Sequence, residues 1–241
     1  MNKQPVSYLQ TDPRWKDKPY RVPGENSTVG SAGCGPTCAA MVIQTITGKT
    51  FTPEDACNWS IQHGYKALKQ GTYYSYFKPQ LAAFNIDCDQ LDWTSTYGKP
   101  NHQNHQRALE LLEQGYYLIA LMNKGAWTSS GHFILVWWAD GKIRINDPAS
   151  TKDARVNGDP YDFRSQAKYY WWVDARKYNN EEDDIMTGEQ IISTLTDEQA
   201  FELLAKARRH AAARPEPQWS QKEGHWARAT ALGVVNGDSP E

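Results

Sequence analysis

The sequence predicts an α+β fold, helices packed on an antiparallel sheet, and three observations carry the expectation. Helix-start chemistry recurs through the first half of the chain. The second half opens on "YYLIALMN", an apolar run of strand length, and continues into "GHFILVWWADGKIRINDPAS", two strands joined through Asp140-Gly141. An Asp-Gly pair tolerates the positive φ angles of a two-residue hairpin turn, so the two strands fold back on each other. The aromatic run "AKYYWWVDARKY" then supplies a last strand.

From Ser7 to Val29 the chain is rich in Pro, Gly, Asp and Asn and reads as an extended loop anchored by Tyr8, Trp15 and Tyr20. A helix is expected from Cys34. Pro36 falls in its first turn, where a missing N–H is no loss, "TCAAMVIQTIT" supplies the apolar body, and Gly48 and Lys49 close it. In "TPEDACNWSIQHG", Thr52 is placed to cap, Pro53 to open, and Glu54 and Asp55 to face the positive helix end. "SYFKPQLAAFNI" and "NHQRALELLEQG" predict two more helices, the second ending at Gly115.

Strand parity brings two polar groups together. With Asp140-Gly141 at the turn, Ala139 pairs with Lys142 and Ile134 stands opposite Asp147. His132, Ile134, Val136 and Trp138 then share a face with Ile143, Ile145 and Asp147, while Lys142, Arg144 and Asn146 take the other. A histidine and an aspartate end one apolar face as diagonal neighbours.

The bulk numbers bound the rest. The 241 residues carry 26 basic and 28 acidic side chains, a net charge of -2, so no basic field draws the chain to nucleic acid. The start lacks the apolar core of a signal peptide, and no run reaches the length of a membrane span. Four cysteines, Cys34, Cys38, Cys57 and Cys88, are too sparse for a disulfide scaffold and lack the paired spacing of a structural zinc site. Most cysteines are small buried apolar residues, and Cys38, Cys57 and Cys88 read that way. A bridge from Cys34 to Cys38 is disfavoured within one helical turn, whereas pairing with Cys57 or Cys88 stays open.

Cys34 differs because it opens a helix, where the positive helix end lowers a thiol's pKa. With His132 as base and Asp147 orienting the ring, it has the parts of a nucleophilic site. Backbone N–H groups at the helix start would face a developing oxyanion, with Gln10 as the side-chain donor. The competing metal site, His102 and His105 in "NHQNH", is outweighed because the adjacent Asn and Gln read as a helix cap and no H-E-x-x-H is present. His63, His210 and His225 read as surface residues, and the turn itself explains Asp140. No cofactor is called for, and no EF-hand pattern supports a calcium site.

Together "YLQTDPRW", "STVGSAGCGPTCAAMV", "GHFILV" and "INDPAS" resemble the bacteriocin-leader, double-glycine cysteine peptidases, in particular their stand-alone relatives in bacteria and phages. The resemblance implies a papain-like fold over roughly residues 7 to 176, with Cys34 as nucleophile, His132 as base, Asp147 as third triad member and Gln10 as oxyanion donor. Gln10 lies much farther before its cysteine than the equivalent glutamine of papain, so the intervening loop must fold back. The transporter-fused members that process leaders carry membrane spans and an ATPase domain, features not found in these 241 residues.

This places a peptidase domain at residues 1–178, an acidic linker "NNEEDD" at 179–186 and a helical segment at 187–241 opened by a capping box from Thr196 to Gln199. The segment has few large apolar residues and is expected to pack on the main domain or on another copy. Its "EPQWSQKEGHWARATALGVVNGDSPE" resembles Trp-containing, surface-layer-like ends of cell-wall lytic enzymes, and the whole looks like an endolysin: made in the host cytoplasm without a signal peptide, then acting on peptidoglycan after release. Two alternatives keep other classes open: an N-acetylmuramoyl-alanine amidase or acyltransferase with the same triad, and a wall-binding module whose triad is vestigial.

Overall fold

The computed structural model describes residues 3–98 and 103–180, together with positions 196, 199, 202 and 205. The chain divides into units Met1–Glu182 and Asp183–Glu241. In the second, the anticipated capping box is present: the Thr196 N–H donates to Gln199 Oε1 at 3.0 Å and the Gln199 N–H to Thr196 Oγ1 at 3.3 Å. His210, His225 and the surface-layer-like stretch lie outside the described residues.

The first unit is α+β. Its helices are α1 (Val29–Ala32), α2 (Cys34–Thr47), α3 (Pro53–Gln62), α4 (Phe77–Ala82), α5 (Gln103–Glu113), α6 (Asp153–Val156), α7 (Pro160–Gln166) and α8 (Arg176–Asn180). The strands are β1 (Cys88–Gln90), β2 (Tyr117–Asn123), β3 (Gly131–Ala139), β4 (Lys142–Asn146) and β5 (Ala167–Val173), in sheet order β1-β5-β2-β3-β4 with every pairing antiparallel.

Local chemistry accounts for most boundaries. Gly48 adopts φ 66° and ends α2, the left-handed residue a helix stop favours. Thr52 caps α3 in a reciprocal box with Asp55, and Pro53 opens the helix. Asp140 and Gly141, at φ 53° and 72°, make the turn between β3 and β4 and fix the pairs Ala139↔Lys142 and Leu135↔Asn146, the anticipated register. "SYFKPQLAAFNI" instead splits into a 3-10 turn, Tyr74–Tyr76, and the short α4. β5 is last in sequence but sits inside the sheet, between β1 and β2, so its "YYWW" run is buried from both sides at Tyr170 and Trp171.

Each sheet face has its own core. On one, Met41, Val42 and Ile43 of α2 and Phe77 of α4 meet Phe133, Leu135 and Trp171. The Phe77, Phe133 and Trp171 rings pack 5.0 to 5.6 Å apart. On the other, Ala108 and Leu112 of α5 and Phe163 of α7 meet Leu118, Ile134, Val136 and Ile145. Parity along β3 therefore divides as anticipated, Ile134 and Val136 with Ile143 and Ile145, and this anchors the hairpin against slippage.

The extended N-terminal segment ties the two halves. The Val6 N–H donates to Thr45 Oγ1 on α2, and Asn146 Nδ2 of β4 donates to the carbonyls of Pro5 and Val6. Farther on, a buried ion pair holds the 66–70 loop: Lys66 Nζ donates to Glu25 Oε1 at 2.7 Å and to the carbonyls of Ala67 and Gln70. Among the described residues, no helix is long and apolar enough to cross a membrane.

Candidate active site

Backbone crowding sets where Cys34 sits. The Gly33 N–H donates to Val29 O at 2.8 Å, and a Cβ on Gly33 would lie 2.5 Å from that oxygen. Only glycine lets α1 run this closely into α2, so the next residue, Cys34, becomes the first of a 14-residue helix whose leading N–H groups lack helical partners. Gly35 is tight as well: a Cβ there would meet Thr72 Oγ1 at 3.1 Å and the Phe133 ring at 3.3 Å.

All four cysteines are free, which closes the open disulfide question. Cys34 is partly exposed while Cys38, Cys57 and Cys88 are buried. Burial pushes the pKa of each of these three upward, so they stay neutral thiols.

His132 is the second residue of β3. It pairs with Met122 on β2 but lies beyond Leu135, the last β3 residue to pair with β4. Asp147 follows directly after β4, with its carboxylate fully buried. His132 Nε2 donates to Asp147 Oδ1 at 2.7 Å, and the Ala149 N–H donates to the same oxygen at 2.8 Å. With Nε2 engaged, Nδ1 is the ring nitrogen left for the Cys34 thiol, whose pKa the imidazole lowers.

The electrostatics favour an ion pair. Burial alone would raise the Cys34 pKa, yet the hydrogen bond and charge of His132, with the Phe133 and Gly35 N–H groups, pull it below the ordinary thiol value. Burial alone would lower that of His132, but Asp147 and Cys34 raise it from 6.5 to about 9. Between the two pKa values the pair is thiolate and imidazolium.

The loop between Gln10 and Cys34 does fold back. The Gln10 N–H donates to Pro148 O at 2.7 Å, next to Asp147, and its Nε2 donates to Gly30 O at 2.7 Å, just before the α1–α2 junction. The buried residue thus bridges the segment of Cys34 and that of Asp147, with a second Nε2 hydrogen to spare.

One participant went unanticipated. Arg155 Nε lies 2.6 Å from Asp147 Oδ2, a close ion contact rather than an aligned hydrogen bond. "TKDARVNGDP" carries no signal for it, because the contact arises only when α6 docks beside the hairpin. Of the rival metal ligands, His102 lies outside the described residues; His105 is buried in α5 with Nδ1 2.7 Å from the Tyr170 hydroxyl. Among the described residues no three His, Cys, Asp or Glu side chains cluster as a metal site would require. His63 is exposed and stacks on Trp59.

A cavity of about 440 Å³ is walled by Gln70, Thr72, Tyr73, Tyr74, Ser75 and Trp93, without Cys34 or His132 in its lining. Of its walls, Thr72 also packs at the Gly35 position, next in sequence to Cys34. Another of about 480 Å³, lined by Gln4, Trp137, Arg144 and Asn157 among others, runs along edge strand β4 and includes neither Cys34 nor His132.

No curated protein and no solved structure matches the chain. A family model, however, matches residues 10–180, from the glutamine through the last strand and into α8. By this match, over most of its length, the chain belongs to the Peptidase_C39 like family.

Proposed function

We propose that this cysteine peptidase cleaves amide bonds of bacterial peptidoglycan, with Cys34 as nucleophile, His132 as acid and base, Asp147 as orienting carboxylate and Gln10 as oxyanion donor. The observation that supports the triad is the buried His132–Asp147 pair at 2.7 Å, together with the lowering of the Cys34 pKa by the His132 ring. The thiolate attacks the carbonyl carbon, and the oxyanion is held by N–H groups at the start of α2 and by the second Nε2 hydrogen of Gln10. Imidazolium gives its proton to the departing amine, leaving a thioester. Neutral His132 then takes a proton from water as the water attacks; collapse releases the acid and restores thiolate and imidazolium. Asp147 holds the ring in one tautomer and balances its charge throughout.

The uncharged cavity beside Gly35 supports a groove for a substrate strand, and its aromatic walls suit an extended chain carrying small or apolar groups. Peptidoglycan is favoured by the resemblance of the C-terminal stretch to wall-lytic enzymes. The domain division at 1–178, 179–186 and 187–241 belongs to the same proposal, as does release of a cytoplasmically made protein onto the wall.

Purified cross-linked muropeptides incubated with the protein and read by mass spectrometry test it. New amino groups on stem or cross-bridge peptides, lost in Cys34→Ala, are expected. Free lactyl ends would shift the assignment to an amidase. Wall binding without release would favour a vestigial triad, and full activity in Cys34→Ala would exclude the thiol mechanism.

A further inference from the structure

We propose that Arg155 is a positioning residue for the triad: it neutralises and fixes the buried Asp147 carboxylate, and through it stabilises the Cys34 thiolate. The inference rests on the triad assigned above and extends it to a side chain outside that set.

The contact is built from both ends. Asp147 has its carboxylate fully buried; Oδ1 is used by His132 and Ala149, and Oδ2 faces Arg155 at 2.6 Å. Arg155 is itself held by a reciprocal pair with Trp127: its Nη2 donates to the Trp127 carbonyl at 2.5 Å, and the indole Nε1 donates to the Arg155 carbonyl at 3.0 Å. Gly158 packs against that indole so closely that a Cβ would lie 2.4 Å from Trp127 Cζ2. Trp127 lies in the connection from β2 to β3, just ahead of His132, so one guanidinium joins the acid to the segment leading to the base.

Charge counting gives the consequence. Thiolate, imidazolium and carboxylate sum to one buried negative charge, and Arg155 brings the cluster to neutrality. The other titratable groups facing the thiol and the carboxylate are Cys38 on α2, Cys57 on α3 and Tyr20 from the N-terminal loop, and burial keeps all three uncharged. Besides the imidazolium, Arg155 is the cation that contacts Asp147 among the described residues, and without it formation of the thiolate must charge a poorly solvated site.

The test needs no substrate: the rate of Cys34 alkylation by iodoacetamide, read by mass spectrometry against pH, reports the thiolate. In Arg155→Met the acid limb of that profile should move up by about one pH unit or more, roughly a tenfold loss of rate on the limb. Arg155→Lys, which keeps the charge, should return most of it. In an Asp147→Asn background, Arg155→Met should add no further shift, because its route is through the carboxylate. A merely structural role would lower Tm and change alkylation evenly across pH. An unmoved limb in folded Arg155→Met, or full additivity with Asp147→Asn, overturns the proposal. Should Arg155→Met fail to fold, Arg155→Gln, uncharged but still a donor, carries the same expectation. A wild-type limb at the ordinary thiol pKa would sink the triad assignment itself, a separate outcome.

Discussion

Replacing Asp147 by Asn tests the electrostatic core of the mechanism directly. In the native protein, burial works against the imidazolium of His132, and its hydrogen bond to Asp147 is the largest influence opposing it, followed by Cys34; the net effect raises the pKa from 6.5 to about 9. That rise of roughly 2.5 units corresponds to on the order of 3 kcal/mol in favour of the charged ring. An amide in place of the carboxylate keeps the shape but removes the charge, leaving Cys34 alone against burial. The His132 pKa should fall by about 1 to 2 units. Titrating the imidazole resonances by NMR reads this without a substrate, and the alkaline limb of muropeptide hydrolysis should descend with it. The sign for stability follows. A raised folded-state pKa contributes stability that is fully present below 6.5 and is lost as pH rises through about 9. Urea midpoints at pH 6 and pH 10 should therefore differ less in the variant than in the native protein. A ring still titrating at about 9 in folded Asp147→Asn would refute the reasoning.

Gln10→Ala should lower kcat about 10²- to 10³-fold with KM and Cys34 alkylation nearly unchanged, since the lost donor acts on the oxyanion and not on the thiol; an equal loss of alkylation would show it to be structural. Iodoacetamide under native conditions should modify Cys34 and spare buried Cys38, Cys57 and Cys88, which peptide mapping checks. Glu25, held at a pKa of about 2 by Lys66 against an ordinary 4.5, contributes stability above 4.5 that is lost as pH falls through about 2. Thermal melts from pH 5 to pH 2 should show that loss, reduced in Glu25→Gln. Gly158→Ala should cost roughly 1 to 3 kcal/mol by forcing the Trp127 indole aside, as urea unfolding would read.

The parts legible in the sequence were those whose cause is local. Asp140-Gly141 dictates its own turn, and with it the register from Ala139↔Lys142 outward. Gly48, Thr52 and Pro53 mark helix ends by their own backbone chemistry. The short α1, α6, α7 and β1 were not read, because each is too brief to show a hydrophobic periodicity. "NHQNH" read as a polar cap, yet His105 is buried against Tyr170, since a hydroxyl from the distant β5 satisfies it. At the site, the positions of Cys34, His132 and Asp147 followed from a helix start and strand parity, whereas Arg155 belongs to a four-residue helix with no pattern of its own.

His132 and Asp147 sit 15 residues apart on one hairpin, whereas the Cys34 sulfur arrives from a helix far earlier in the chain. Hairpins close in microseconds, so imidazole and carboxylate can meet while most of the polypeptide is still searching. Until α2 docks against the Phe133 face, the thiol is an ordinary one, slow to react and safe among neighbouring unfolded chains. Nucleophilicity should thus emerge only once α2 meets the hairpin, and its onset after dilution from denaturant would clock that contact.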